Sequence, residues 1–302
     1  KLPLSYKKFE GDIEELSKEI AEKLNTKGKV FELEILQGNG NEEDEEFYVK
    51  FTQYKNLPTY NDIGGYHFAK RIVKAWDPEK SERKSLSFVG EPGTGKTTLA
   101  LAKLNEYANK TSGTGIVINR IPGYISLETL KDLLYALFSE KNKKLMLLLD
   151  DAEELVRVEK RRDTLKLLEE LKASYVPVIM TFNDKNILRD EAIYGRLGIP
   201  VYFDFPNKEE REEILEILAK KYGIELSPSI KSKLAAHTEN FSGRFLEMIF
   251  VYAKEMKNSQ KNIEELLEEG VKYVKENIIN PLRKYQGIYP FSSEEEKRYY
   301  YY

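Results

Sequence analysis

Cysteine is absent from the 302 residues. That excludes disulfide scaffolds, zinc clusters, iron–sulfur centres and thiol nucleophiles at once. Histidine is nearly absent too; His67 and His237 stand far apart, too sparse for a histidine-based metal site. No apolar run approaches the ~18 residues that a membrane span requires, and no leader-like segment opens the chain. A soluble cytoplasmic protein with no membrane partner is therefore expected. Neither sign of charge dominates. The 48 basic and 51 acidic residues are interspersed and leave a net charge of −3, unlike the footprint of a broad grip on duplex DNA. What the chain does have is 41% hydrophobic and 12% aromatic residues, enough for a sizeable core. Its length suits two domains, or one α/β domain with additions. Dense Lys and Glu without Cys is a composition common in hyperthermophiles, so a thermophilic source is expected.

Along the chain, Ile13, Leu16, Ile20 and Leu24 recur at helical spacing and predict a helix over 10–25. Phe31, Leu33 and Ile35, then Phe47, Val49 and Phe51, alternate as strands on either side of the polar loop Gly38–Glu46. These elements predict a small α+β appendage over 1–56, a hairpin packed on a helix. From Ser85 the pattern changes. Short apolar runs at 86–89, 116–118, 145–149, 176–180 and 201–205 alternate with helical stretches such as 127–138 and 162–171. This predicts an α/β domain over 57–206, a parallel sheet with helices on both faces. Beyond Pro206, four amphipathic segments (208–221, 227–236, 242–257, 262–278) predict a small all-helical domain over 207–280, followed by a tail, 281–302.

The stretch Gly90-Glu91-Pro92-Gly93-Thr94-Gly95-Lys96-Thr97-Thr98 contains G-x-x-x-x-G-K-[ST] between a strand and a helix. Its glycines let backbone N–H groups curl around an anion, and the following helix presents its positive end. Lys96 would reach the β- and γ-phosphates of ATP, and the Thr97 hydroxyl would bind Mg²⁺. Leu145–Leu149 is apolar throughout, as a central parallel strand must be, and ends in Asp150-Asp151 where open α/β sheets bind ligands. Asp150 is the expected Mg²⁺ partner, and Asp151 the acid that orients or deprotonates the attacking water. Asn183, ending the next strand, would hold that water; an Asn there is also an ordinary turn former.

These motifs, in this order, resemble the AAA+ ATPases and most of all the classical AAA branch. Tyr60-Asn61-Asp62-Ile63-Gly64-Gly65 is similar to the segment that lies along the adenine, which assigns Asp62, Ile63 and Gly64 to the base. Gly90–Thr97 resembles its Walker A, Leu145–Asp151 its Walker B, and Thr181-Phe182-Asn183 its sensor 1. Asp190–Arg196 resembles the segment carrying the arginine finger, with Arg189 in reserve. Pro206–Lys254 resembles the helical lid, with Arg244 at the sensor 2 position. The resemblance implies ATP or ADP with Mg²⁺ between sheet domain and lid, and a homo-oligomeric ring, a hexamer above all, in which Arg196 reaches the neighbour's γ-phosphate. It departs in three places. Asp151 replaces the usual Glu, so Glu153 is a second candidate for the acid. No second arginine follows Arg196. The pore segment is reduced to Tyr124-Ile125-Ser126.

The leading expectation is an ATP-driven machine that remodels or unfolds a protein substrate or takes an adaptor. The ending Tyr300-Tyr301-Tyr302 is similar to the tails that dock on proteasome rings. One alternative is a nucleic-acid-directed ATPase (initiator, clamp loader or viral replication ATPase). It is less favoured, since few residues follow Pro281 and the only local basic cluster is Lys160-Arg161-Arg162. Another is a weakly hydrolysing, nucleotide-gated scaffold.

Overall fold

The computed structural model describes residues 4–9, 28–37, 47–123, 125–138, 144–157, 160–184, 190–258 and 260–285. The expected helix over 10–25, the loop 38–46, Tyr124, Arg189 and the terminal tyrosines lie outside the described residues. Among those described, no helix is long and apolar enough to cross a membrane.

The chain divides into two compact units, Lys1–Asp204 and Phe205–Tyr302. The first is built on an eight-stranded sheet. Its strands are β1 (Leu4–Phe9), β2 (Lys29–Gln37), β3 (Phe47–Gln53), β4 (Ser85–Gly90), β5 (Thr114–Asn119), β6 (Leu145–Asp150), β7 (Val178–Phe182) and β8 (Ile199–Phe203), in the spatial order β1-β3-β2-β5-β6-β7-β4-β8. From β5 to β8 every pairing is parallel. These strands are buried on both faces, which is why β6 is uninterrupted Leu-Met-Leu-Leu-Leu rather than an alternation. The helices of this unit are α1 (His67–Ala75), α2 (Lys96–Thr111), α3 (Leu127–Phe138), α4 (Arg161–Ala173) and the single turn α5 (Glu191–Tyr194).

The N-terminal strands differ from expectation. They do not form a separate appendage. β2 and β3 pair antiparallel as predicted, but β2 also lies parallel to β5, from Lys29↔Thr114 to Glu32↔Val117, and so continues the central sheet. Phe31, Leu33, Ile35, Val49 and Phe51 share one buried cluster with Ile116, Leu147 and Met180. A hairpin presenting an apolar face beside an open edge strand buries more apolar area by joining the sheet than by standing alone.

The second unit is helical: α6 (Lys208–Tyr222), α7 (Pro228–His237), α8 (Gly243–Glu255) and α9 (Ile263–Val274), continued through a π turn, Lys275–Ile279, into α10 (Asn280–Tyr285). Asn207, Ser227, Ser242 and Asn262 cap the four main helices through their side chains. Arg211 is buried and donates to the carbonyls of Pro206 and Ala235, tying the start of α6 to α7.

Candidate nucleotide site

The site grows from the carboxyl ends of β4, β6 and β7. At the end of β4, Gly90 packs so close to β8 that a Cβ there would sit 2.1 Å from the Phe203 carbonyl oxygen. Gly93 (φ +78°) and Gly95 (φ +86°) take left-handed backbone, which costs other residues strain. Three glycines thus let the loop 90–95 turn back over the sheet and start α2 at Lys96. Thr94, fully buried, braces the turn from its Oγ1 to the Glu91 carbonyl at 2.7 Å. Pro92 and Thr98 are exposed at the rim.

Lys96 is buried. Its Nζ donates to the carbonyls of Gly90 (2.7 Å) and Glu91 (2.8 Å), which hold it inside the loop. Burial pushes its amine down to about 8, against the opposing pull of Asp151, Asp150, Glu153 and Glu91.

Below the loop, the Thr97 hydroxyl donates to both Asp150 oxygens (2.9 and 3.0 Å), and the Thr181 hydroxyl to Asp150 Oδ1 at 2.6 Å. Burial raises the Asp150 pKa, and the two hydroxyls counter it. Mg²⁺ takes one or two protein oxygens and leaves its other positions to water and phosphate. Thr97 and Asp150, side by side beneath a phosphate loop, fit that requirement.

Asp151 sits in the left-handed region (φ 49°, ψ 54°), where Asp and Asn are better tolerated than most residues. The Asp that stands where Glu was expected therefore suits its backbone. Its amide donates to Thr181 Oγ1 (2.9 Å), its Oδ1 accepts from Asn183 Nδ2 (2.8 Å), and Arg120 Nη2 lies 3.8 Å from its Oδ2. Glu153 accepts the Asn183 amide. Of the two candidate acids, then, Glu153 is engaged in fixing the β7 turn, while Asp151 shares a side-chain bond with the expected water-holding residue.

Tyr60–Asp62 form a single 3₁₀ turn in which Asp62 Oδ2 accepts from both Thr59 N and Oγ1 (2.7 Å each), which lowers the Asp62 pKa. Ile63 and Gly64 follow, buried, with the Ile63 carbonyl taken by Lys70 Nζ at 2.9 Å. The Tyr66 ring then lies 3.4 Å from where a Gly95 Cβ would be. The segment assigned to the base is thus brought beside the phosphate loop.

Arg196 is elsewhere. It precedes β8 and lies at the amino end of the sheet. There it bonds Glu169 of α4 through Nε (3.1 Å) and Nη2 (2.7 Å), and the Ala192 carbonyl through Nη1 (2.9 Å). A cavity of about 530 Å³ opens beside it, floored by Leu168, Leu171, Val178 and Met180. Arg244 lies in the first turn of α8, in the helical unit. Two members of the basic cluster are engaged by carboxylates, Lys160 by Glu154 and Arg161 by Asp190.

Residues 86–205 match the model of the ATPase family associated with various cellular activities (AAA). The chain carries an AAA ATPase domain. Three relatives show how widely that likeness spreads. ATPase family AAA domain-containing protein 3-B of Xenopus laevis is 27% identical over 71% of this chain and 43% of its own length. The Replication factor C large subunit of Methanococcus maripaludis is 25% identical over 59% and 37%. The putative 26S proteasome regulatory subunit homolog of Methanocaldococcus jannaschii is 26% identical over 60% and 50%. The chain spans half or less of the length of each. AAA domains bind ATP or ADP, and the AAA domain here has the P-loop for it.

Two residues that the fold brings to the candidate site carried no role in the sequence: Thr181, which joins the two acids, and Arg120. Thr181 was findable, since it stands in the last two residues of the strand that leads directly to Asn183, which was already assigned. Arg120 had no local signal; it arrives because β5 pairs with β6 at Asn119↔Asp150.

Proposed function

We propose that this AAA domain hydrolyses ATP with Mg²⁺ as one subunit of a homo-oligomeric ring, a hexamer above all, and that the ring remodels or unfolds a protein substrate. The observation that carries the ring is the position of Arg196. β4 and β8 pair from Leu86↔Ile199 to Gly90↔Phe203. Arg196 therefore stands before one end of that ladder and the phosphate loop beyond the other, on the order of 15 Å apart along the strands. An arginine so placed serves a second copy's phosphates rather than its own. Its permanent charge and planar fork suit that task.

Within one subunit, the loop amides and Lys96 hold the phosphates, and Thr97 and Asp150 would hold Mg²⁺, which neutralises phosphate charge when bound. Asn183 Nδ2 and Asp151 bracket the position of the attacking water. Asp151 takes its proton as the water oxygen bonds the γ-phosphorus and the bond to the ADP oxygen breaks. Ile63 and Gly64 lie along the base, and Arg244 reports the bound state from the helical unit. The likeness to a proteasome regulatory subunit homolog supports the protein-directed reading.

A second reading, a nucleic-acid-directed ATPase, is favoured by the likeness to Replication factor C large subunits. ATPase rates measured alone and with DNA, RNA or an unfolded protein, alongside particle mass in ADP and in ATP, separate the two. Stimulation by unfolded protein together with a larger mass in ATP supports the first reading. Stimulation by DNA or RNA alone favours the second.

A further inference from the structure

The helix that begins at the phosphate loop carries an unusual cluster three turns on. Lys103 of α2 is buried, with its Nζ 2.9 Å from Glu106 Oε2 and 5.9 Å from the centre of the Trp76 ring. Lys110 pairs with the other oxygen of Glu106. Tyr60 donates its hydroxyl to Glu106 Oε2 at 3.0 Å, and Lys74 Nζ stands 4.9 Å over the Tyr60 ring. One residue earlier on the helix, Asn105 Nδ2 donates to the Pro58 carbonyl at 3.1 Å. Residues 58–60 are therefore fastened to the far part of α2 at two points. The same segment ends at Tyr66, packed beside Gly95 where α2 starts. The strap 58–66 lies along the helix whose N-terminus forms the phosphate loop, anchored at both ends.

We infer that Glu106 is a positioning residue for the nucleoside half of the ligand: by holding Tyr60, it fixes Ile63 and Gly64 in register with the phosphate loop. The inference rests on the reading that Ile63 and Gly64 lie along the base. Burial and the Glu106 carboxylate both push the Tyr60 phenol above its ordinary range, so it stays a donor across the working pH. Two lysines on Glu106 keep that carboxylate ionised and turned toward the strap. The far end of the strap is held by Asn105 and Glu106, about three turns from the phosphate loop, so loosening it should weaken recognition of the base and leave the grip on phosphate intact.

The test uses the full chain, with equilibrium titrations of ATP and of inorganic tripolyphosphate. Tyr60→Phe removes one hydrogen bond and leaves the lysine pairs intact. It should weaken ATP about tenfold, the size of one hydrogen bond to a charged group, with tripolyphosphate unchanged. Glu106→Ala should weaken ATP more than that, and Glu106→Gln, which still accepts from Tyr60, less. Parallel losses for both probes, or no loss for either, would overturn the inference. Gly64→Val in the same titrations tells the two failures apart. If it shifts the ratio of ATP to tripolyphosphate affinity while the Tyr60 and Glu106 variants do not, Glu106 has no positioning role. If none of the variants shifts the ratio, the base lies elsewhere and the inference falls with it.

Discussion

The two ends of the parallel sheet are built on opposite plans. At the carboxyl end, Lys96, Thr97, Asp150, Asp151, Thr181 and Asn183 bond to one another and to the loop backbone, and Lys96, Asp150 and Thr181 are buried. At the amino end, Arg196 has a single carboxylate partner among the described residues, and that partner, Glu169, has its side chain 61% exposed. The first is a preorganised electrostatic site, where dipoles are fixed before charge arrives. The second is a surface ion pair, which costs little to exchange. On the proposed function, a subunit that keeps its own chemistry rigid and lends its neighbour one exchangeable cation would couple hydrolysis to assembly.

Four experiments break or sharpen that contrast, from the largest effect to the smallest. Arg196→Ala should cut hydrolysis by roughly 10³-fold or more while ATP still binds. Mixed with an Asp151→Asn variant, which is dead for the complementary reason, it should recover part of the rate, because some interfaces pair an intact acid with an intact arginine. No recovery at any mixing ratio, with subunit exchange verified, rules out action between copies. Lys96→Ala should lower ATP affinity by at least about 100-fold, since the phosphate loop loses its buried cation; an unchanged titration curve removes the site assignment.

The third experiment follows affinity against pH. The Lys96 amine titrates at about 8 before nucleotide binds. Anionic phosphates favour its protonated form, so ATP affinity should be steady below that value. Above it, affinity should fall by up to about tenfold per pH unit. Lys96→Arg, whose charge does not titrate, should lose this dependence. Smallest is Glu169→Ala, which should change unfolding stability by no more than about 1 kcal/mol, measured by denaturant midpoint. A larger loss would mean that the amino end is as rigid as the carboxyl end.

The carboxyl end was also the legible end. Gly90–Thr97 and Leu145–Asp151 are contiguous, and each carries its own strand or helix context, so local pattern sufficed. The helices of the second unit were legible too, because Asn207, Ser227, Ser242 and Asn262 mark their starts and apolar spacing marks their faces. Contacts between distant segments were not. The place of β2 beside β5 depends on which edge strand is left open, and β1 (Leu4–Phe9) has too short a pattern to announce a third strand. Glu106 reads as one more acid on a solvated helix until Tyr60, 46 positions earlier, is seen to reach it. Glu169 likewise gains meaning only from Arg196.

The attachment of β2 has a mechanical consequence. Its bonds to β5 run side by side along a parallel ladder, and β3 fastens its other edge from Phe31↔Gln53 to Gln37↔Phe47. A pull on the chain ahead of Lys29, directed along the strand, loads those bonds together, as bolts in a lap joint share shear, instead of opening them singly as a zipper does. β5 receives that load, and its last residue, Asn119, is the register partner of Asp150. Tension applied at the N-terminal strands would thus be delivered within one strand spacing of the residue assigned to the metal.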